Sequence, residues 1–257
     1  MIKTSPAGEI TTGVKPTQRI ERKFFVLPKN IGFAYTLLRQ FCRPDSEYPK
    51  EQINSLYFDT PDLDQYGGSL SGEFSKDKVR IRWYGKNEGL SEMVPVFLEL
   101  KSRWGFSSSK QRERLMVSAE KLGLDCLGAG IVDKTILLDT VATFGHFPES
   151  LLFPIIMISY WRYRFTEMMT GVQVSLDCNI CSSIVAPGLG HGERELILRG
   201  GVIEVKGPSM ELPTTLQRIR LLDVDWSRFS KYSSCLDAHM SQPGTISRLW
   251  PSGRLGK

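Results

Sequence analysis

The chain has 257 residues, of which 41% are hydrophobic and 24% are charged. This composition is typical of a globular protein with a sizeable core, and it excludes a disordered chain. The formal net charge of +5 indicates an anionic partner but is too small to distinguish nucleic acid, a membrane surface or a phosphate compound. The positions of the charges along the chain are therefore more informative than their sum.

The two ends of the chain differ in composition from its middle. Gly, Thr and Pro are frequent before Thr17, and Pro and Gly recur after Gln242. We therefore predict flexible tails at 1–17 and 242–257 and one folded domain at 18–241.

The cysteines and the apolar segments indicate where the protein resides. The five cysteines are an odd number at scattered spacings, which favours reduced thiols and predicts a cytoplasmic protein. The longest apolar run, Leu151 to Ile158, is too short to span a bilayer. No membrane insertion by this chain is expected, and any link to a membrane would come from a partner.

Charged and apolar residues alternate in many segments, as expected for strands with one charged face. In the first segment Arg19, Glu21 and Lys23 share a face, opposite Ile20, Arg22 and Phe24. The later charged faces contain Lys78, Arg80 and Arg82; Glu99, Lys101 and Arg103; Lys110, Arg112 and Arg114; Tyr160, Arg162 and Arg164; Ser175 and Asp177; and Glu204 and Lys206. With a strand at Ile53 to Asp59, about eight strands are predicted, enough to close a barrel.

Helical periodicity occurs between some of these strands. Asn30 is predicted to cap a helix whose apolar side contains Phe33, Leu37 and Leu38. A second apolar stripe runs from Leu216 to Leu222. The predicted fold is therefore α+β, an antiparallel β-barrel of about eight strands that is covered by helices.

The charged strand faces are predicted to point into the barrel. For a single strand, a solvent-exposed charged face is the ordinary interpretation. Here Arg and Lys occupy every second position of several strands, so neighbouring strands would repel each other unless an anion lay between them. We therefore predict a basic tunnel that binds phosphate, in which acids such as Glu21 and Glu204 hold a divalent metal or position the basic side chains.

Other kinds of site have little support in the sequence. His146, His191 and His239 lie far from Ser or Cys candidates, which argues against a catalytic triad. Cys178 and Cys181 form a single C-x-x-C without a second pair, so a structural role is preferred to a zinc or redox site. The basic residues are not accompanied by a helix-turn-helix, zinc-finger or RNP signature, so no nucleic-acid partner is predicted.

Several short motifs follow one another between Arg19 and Met240. They are R-I-E-R-K-F at 19–24, Y-F-D-T-P-D at 57–62, K-V-R-I-R at 78–82, E-L-K at 99–101, Y-W-R at 160–162, S-L-D at 175–177, E-V-K at 204–206 and S-K-Y at 230–232. Their number and order resemble the VTC domain, the polyphosphate polymerase module of the triphosphate tunnel metalloenzymes. The resemblance implies a tunnel in which basic residues bind a triphosphate and a Glu on a late strand holds Mn²⁺ or Mg²⁺.

The charged faces and the resemblance together assign roles to residues of this chain. The predicted catalytic residues are Arg80, Arg82, Lys101, Arg162, Lys206 and Lys231. Further contacts with the substrate are predicted for Arg19, Lys23, Lys78, Lys110, Arg112, Arg114, Arg164, Arg228 and Ser230. Glu204 is the predicted principal metal ligand and Glu21 the second. The partners implied are ATP and inorganic polyphosphate.

Two positions depart from the family pattern. Hydrolytic and cyclase relatives begin with E-x-E-x-K, whereas Arg19 stands where the first acid would be, which favours the polymerase branch. Gln173 stands where that branch commonly has a basic residue, so one wall of the tunnel is expected to be less positive.

The predicted function is that of a metal-dependent polyphosphate polymerase, which transfers the terminal phosphate of ATP to a growing chain and releases ADP. A tripolyphosphatase or nucleoside triphosphatase on the same fold, with water as the acceptor, is one alternative. A module that binds polyphosphate without turnover is the other. The sequence does not specify an oligomeric state.

Overall fold

The structure is a computed structural model that describes residues 20–85, 93–105, 107–187, 189, 195–224, 226–227 and 229–241. The predicted tails at 1–17 and 242–257 lie outside these residues, so the limits of the predicted domain at 18–241 remain predictions.

Ten antiparallel strands form one sheet in the described part of the chain. They are β1 (Ile20–Val26), β2 (Cys42–Pro44), β3 (Lys50–Asp59), β4 (Ser75–Tyr84), β5 (Met93–Trp104), β6 (Ser107–Ser118), β7 (Phe153–Glu167), β8 (Gln173–Ile184), β9 (Glu195–Gly207) and β10 (Trp226–Ser227). The main order is β10-β1-β9-β8-β7-β3-β4-β5-β6, and β2 pairs with β7. Seven of the eight longer strands were predicted from the alternation of charge, and β3 from the segment Ile53 to Asp59; the short strands β2 and β10 were not predicted.

The described helices are few and short. They are α1 (Ile31–Phe41), α2 (Asp64–Leu70), α3 (Leu124–Leu127), α4 (Lys134–Thr143) and α5 (Lys231–Met240), with 3₁₀ segments at Pro28–Asn30, Ala119–Leu122 and Thr214–Leu222. Within the described ranges, none of them has the length and apolar character needed to cross a membrane.

Helix α1 begins where it was predicted but is held differently. The Asn30 side chain makes no capping hydrogen bond, and its Nδ2 instead donates to the carbonyl of Leu222 at 3.0 Å. Leu37 and Leu38 are buried as predicted, whereas half of Phe33 is exposed. Asn30 therefore joins α1 to the 3₁₀ segment that ends at Leu222.

The sheet curls until strands that are far apart in its order face each other. Five strands separate β1 from β5 in the sheet, yet Lys101 Nζ of β5 lies 2.8 Å from Glu21 Oε2 of β1. Such a contact requires both side chains to project into a shared interior. The predicted barrel around a basic interior is confirmed in its overall form, although no ladder joins β6 to β10 among the described residues.

The outward faces of the strands are apolar and are covered by helices, as predicted. On one side α1 and the segment Thr214–Leu222 pack on β1, β8 and β9, and the buried residues there include Leu38, Leu216, Ile219, Val174, Ile203 and Val205. On the other side α4 and the loops around α3 pack on β4 and β5, and the buried residues there include Leu127, Ile131, Val141, Val79, Ile81 and Leu98. Trp83, with 2% of its surface exposed, belongs to this second core.

Helix α5 lies against the inner face of the sheet. Its residues Tyr232, Cys235 and Leu236 share a buried cluster with inward-facing Ile53, Tyr57, Ile156, Ile158, Ile180 and Val202. The Tyr232 ring stacks on Tyr57 with a centroid separation of 5.1 Å. The Tyr232 hydroxyl donates to the buried carboxylate of Asp59, which also accepts from the backbone amides of Gln65 and Tyr66. One part of the interior is thus filled by α5, and the rest is lined by charged side chains.

The contact between Tyr232 and Asp59 is expected to anchor α5. Tyr232→Phe removes one donor from a buried carboxylate and should lower the free energy of unfolding by about 1–3 kcal/mol. Tyr66→Phe is the matched control, because its hydroxyl lies 3.5 Å from Asp237 and it is only partly buried. Urea denaturation of the two variants measures the difference, and equal small losses would show that α5 is held by packing alone.

Candidate functional site

The inner faces of the strands bring most of the predicted site residues into one charged space, which we call the tunnel. Its described basic side chains are Lys23, Lys78, Arg80, Arg82, Lys101, Lys110, Arg112, Arg162, Lys206 and Lys231. Its described carboxylates are Glu21, Glu99, Asp177 and Glu204. Cations outnumber carboxylates in this set, so the space attracts anions.

Glu99 organises the cations of β4 and β6. Arg80 donates to its Oε2 from Nε at 2.9 Å and from Nη2 at 2.7 Å, and Lys110 Nζ lies 2.6 Å from Oε1. Arg82 and Arg112 lie 3.7 and 3.5 Å from the same carboxylate. Burial alone would raise the pKa of Glu99, but these cations hold that pKa at about 2. Glu99 is therefore ionised in the folded protein at neutral pH.

A second anchored group lies where β7, β8 and β9 meet the start of α5. Arg162 donates to Asp177 from Nε at 2.6 Å and from Nη2 at 2.7 Å, and Nη2 also lies 2.9 Å from Glu204 Oε2. Lys231 Nζ contacts Asp177 and lies 3.3 Å from Glu204 Oε1. Burial would raise the pKa of Glu204, but Arg162 and Lys231 keep that pKa well below its ordinary value.

Glu21 connects this second group to β5. Its carboxylate lies 2.8 Å from Lys101 Nζ and 3.7 Å from Lys206 Nζ. Burial alone would raise its pKa, but Lys23, Lys101 and Lys206 lower that pKa to about 2. Lys206 Nζ also lies 4.0 Å from Glu204, so this ammonium group sits between the two predicted metal ligands.

A divalent metal held by Glu21 and Glu204 would need phosphate oxygens as further ligands. Among the described residues there is no group of three or more His, Cys, Asp or Glu side chains that could hold a metal alone. Mg²⁺ in phosphate sites is commonly bound through one or two carboxylates and the oxygens of the phosphates, and Mn²⁺ accepts the same ligands. These two carboxylates would be the protein's share of such a site, with phosphate oxygens completing the coordination.

Two tyrosines of the tunnel were not among the predicted site residues. Tyr57 accepts a hydrogen bond from Arg80 Nη1 at 3.1 Å, and the hydroxyl of Tyr160 lies 3.5 Å from Arg82 Nη2. The ammonium of Lys231 lies 4.7 Å from the centroid of the Tyr160 ring. Tyr160 shares its strand face with Arg162, and this alternation was the signal in the sequence that could have placed it in the site.

The other predicted substrate contacts differ in their surroundings. Arg164 pairs with Glu51 at 2.7 Å, and Arg114 is exposed on β6. Arg112 reaches Glu99 but lies 3.4 Å from the centroid of the Phe97 ring, so much of its guanidinium is occupied by that contact. Ser230 lies at the start of α5, where its hydroxyl accepts from the backbone amide of Ser233. Arg19 and Arg228 lie outside the described residues.

A solvent-open cavity of about 340 Å³ lies between the sheet and the loops around α3. It is lined by Gln52, Asn54, Trp83, Gly85, Leu122, Leu124, Leu127, Met157, Ser159, Cys181, Ser183 and Glu195. None of these lining residues is Lys or Arg, and Glu195 is acidic, so the cavity does not suit phosphate. Burial raises the pKa of the Cys181 thiol and that of Cys178, which disfavours the thiolate form needed for metal binding or redox chemistry.

Comparison with known proteins gives a family match and one curated relative. The sequence model of the VTC domain matches residues 18–239. Subunit 4 of the vacuolar transporter chaperone complex from Schizosaccharomyces pombe is 29% identical over 89 residues. That stretch covers 35% of this chain and 11% of the relative, so this chain matches only a small part of that protein's length.

Similar solved structures include two candidate cyclases. One, from Bacillus halodurans, is a candidate adenylate cyclase with 20% identity and a TM-score of 0.49, over 83% of this chain and 94% of that one. The other, from Hippeastrum, is a candidate adenylyl cyclase described as having a dominant triphosphatase activity. It has 18% identity and a TM-score of 0.42, over 87% of this chain and 98% of that one.

Glu99→Gln should destabilise the protein because Arg80 and Arg82 would lose the carboxylate that compensates their buried charge. The expected loss in free energy of unfolding is about 3–5 kcal/mol at neutral pH. The pKa of Glu99 is lowered from 4.5 to about 2, so its contribution is complete above pH 4.5 and disappears as the pH falls toward 2.

The difference between wild type and Glu99→Gln should therefore shrink between pH 4.5 and pH 2, as followed by urea denaturation at a series of pH values. Glu51→Gln is the control, because Glu51 pairs with the partly exposed Arg164. Its free energy of unfolding should fall by less than about 1 kcal/mol, as for the loss of a surface ion pair. A difference for Glu99→Gln that stays constant with pH would contradict the assigned role.

Proposed function

The chain belongs to the VTC domain family, and on that premise we propose that it transfers the terminal phosphate of a nucleoside triphosphate to an inorganic polyphosphate chain. The observation that carries the proposal is the tunnel itself, in which buried carboxylates hold an excess of Arg and Lys in fixed positions. Such an arrangement suits a linear chain of phosphates, because Arg and Lys can donate hydrogen bonds to the phosphate oxygens. These contacts do not involve the base or the sugar of a nucleotide.

The arginines and lysines would divide the work of binding. Arg80 and Arg162 are each held by two or more hydrogen bonds to carboxylates, so their guanidinium planes are fixed before the substrate arrives. Lys101 and Lys206 are 31% and 41% exposed, and their ammonium groups can follow phosphates that move during turnover. Positively charged groups in fixed positions lower the barrier because they do not have to reorganise as charge develops on the transferring phosphate.

The start of α5 would add a further contact with the substrate. Ser230 and Lys231 open this helix inside the tunnel, and Lys231 is 8% exposed. The backbone amides of the first turn carry partial positive charge that favours phosphate. Because α5 is anchored by Tyr232 in the next position, this end of the helix is held in place.

No protein nucleophile is required for the transfer. In phosphoryl transfer most of the catalysis comes from in-line positioning of the reactants and from stabilisation of charge. A divalent metal bound by Glu204 and Glu21 would bridge phosphate oxygens and neutralise part of their charge. The residues of the chain would bind the phosphates, align them and keep water out.

Two anchored groups of cations favour transfer to a second phosphate chain over transfer to water. One group surrounds Glu99, and the other surrounds Asp177 and Glu204. A polymerase has to bind both a donor triphosphate and an acceptor chain, whereas a triphosphatase needs one phosphate chain and a water molecule. A cytoplasmic location and Mn²⁺ or Mg²⁺ as the metal form part of this proposal.

Incubation with ATP and Mn²⁺ tests the proposal directly. The protein should release ADP while phosphate chains of increasing length accumulate, visible as a ladder on a gel, and a short polyphosphate primer should shorten any lag. Release of orthophosphate in step with ADP, with no ladder at any time, would instead identify a triphosphatase. Binding of tripolyphosphate without release of ADP would identify a binding module.

The fixed, paired hydrogen-bond donors of Arg80 are expected to contribute more to catalysis than its positive charge alone. Arg80→Lys keeps the charge and loses the paired donors, so kcat/KM for ADP release should fall by about 10- to 100-fold, as for the loss of a hydrogen bond to a charged group. Arg103→Lys is the control, because Arg103 donates to the carbonyl of Gly105 and contacts none of the tunnel carboxylates among the described residues. Equal rates for the two variants would exclude a special role for the Arg80 fork.

A further inference from the structure

Lys78 differs from the other cations of the tunnel in its contacts. Lys101, Lys110 and Lys231 each lie within 4.0 Å of a carboxylate. Within the described ranges of the chain, no carboxylate lies that close to Lys78. Its Nζ donates to the hydroxyl of Ser230 at 2.7 Å and lies 5.9 Å from the centroid of the Tyr232 ring.

The charged groups that face Lys78 are predominantly positive. They are Lys76 and Arg80 on its own strand, Lys101 on β5 and Lys23 on β1, while the neutral Ser230, which caps α5, and Tyr232 of α5 lie on another side. Burial, followed by the repulsion from Lys23 and Lys101, lowers the pKa of Lys78 from 10.5 to about 7. Without a ligand, the amine is therefore largely neutral under mildly alkaline conditions.

A bound phosphate chain would supply the negative partner that Lys78 lacks. An ammonium group has three donors, so Lys78 can keep its bond to Ser230 and still donate to a phosphate oxygen. The bond to Ser230 places the Lys78 amine beside the start of α5. The next residue after Ser230 is Lys231, which belongs to the second anchored group. An anion at this place would interact with both β4 and α5.

We propose that Lys78 is a phosphate-binding residue of the tunnel that takes up a proton when the phosphate chain binds. The inference rests on the proposed function, because it assumes that a polyphosphate anion enters the tunnel. It adds a dependence of substrate affinity on pH, which arises from one lysine that has no carboxylate partner among the described residues.

The direction of the pH dependence follows from the protonation of Lys78, because only the charged ammonium form attracts a phosphate anion. Below about pH 7 Lys78 is already protonated, and its contribution to affinity does not change. Above that pH each binding event has to include proton uptake, so the contribution of Lys78 should fall by about tenfold per pH unit. Lys78→Arg keeps a permanent positive charge at this position and should remove that dependence.

Titration calorimetry with tripolyphosphate at pH 8 tests the proposal. Measurements in two buffers of different ionisation enthalpy give the number of protons taken up on binding. Wild type should take up about one proton more than Lys78→Arg, because an amine with a pKa near 7 is about one-tenth protonated at pH 8. Protonation of tripolyphosphate itself, and of the other lysines, is common to both proteins and cancels in the difference.

Affinities provide a second measurement on the same samples. Lys78→Arg and wild type should bind tripolyphosphate about equally at pH 6, and the variant should bind about tenfold more tightly at pH 8. Lys76→Arg is the matched control on the same strand face, where the amine donates to the carbonyl of Ser69, and it should behave as wild type. Equal proton uptake by wild type and Lys78→Arg at pH 8 would overturn the inference.

Two further outcomes have fixed meanings. If none of the three proteins binds tripolyphosphate, the proposed function fails, since the tunnel then does not bind the anion. If Lys78→Arg does not fold, Lys78→Gln replaces it: this neutral variant should take up about one proton fewer than wild type at pH 8 and bind more weakly than wild type at pH 6. A Lys78→Gln protein with the proton uptake of wild type would reject the proposal.

Discussion

Buried carboxylates make it possible to concentrate positive charge on the inner face of this barrel. Like charges repel strongly where water is partly excluded, and a buried charge needs a partner of opposite sign. The side chains of Glu99 and Asp177 are fully buried and that of Glu204 is 6% exposed, whereas Lys110 and Lys206 are 42% and 41% exposed. These three carboxylates therefore lie deeper than Lys110 and Lys206. An anion that enters the tunnel meets these two lysines before it meets the three carboxylates.

This layering fixes some cations and leaves others free to move. Arg80 is held between Glu99 and Tyr57, and Arg162 between Asp177 and Glu204. Guanidinium groups held on two sides can present their remaining donors in one orientation, which is what preorganised stabilisation of a transferring phosphate requires. Lys78 is the exception, since a serine hydroxyl is its hydrogen-bond partner. The same site thus combines guanidinium groups held by carboxylates with a lysine that has no carboxylate within 4.0 Å among the described residues.

Helix α5 completes the tunnel from inside the barrel. It brings Lys231 to Asp177 of β8 and to Glu204 of β9, and its Tyr232 hydroxyl donates to Asp59 of β3. The apolar residues of α5 fill one part of the interior, so water and anions are confined to the charged part. Fold stability and site geometry are therefore coupled through one short helix, and a change that loosens α5 would displace a predicted catalytic lysine.

Alternation of charge was sufficient to predict seven of the eight longer strands, their charged faces and a basic interior, because successive side chains of a strand point to opposite faces. The number and order of the short motifs were sufficient to identify the family. The pairing of each cation with its carboxylate was decided only by the tertiary structure. The curvature of the sheet joins Lys101 to Glu21 and Lys78 to Ser230, across 80 and 152 residues of the chain.

The face of a residue was also decided by tertiary structure at one irregular point. A bulge at Asn179, where φ is 51°, lets Asp177 and Ile180 both face inward although they are three residues apart. A rule with a period of two cannot place both of them on one face, since the bulge adds a residue to one strand without a partner on the next. The local sequence pattern therefore showed which strand and which face carry the charged residues. The curvature of the sheet determined which of these charges lie close together.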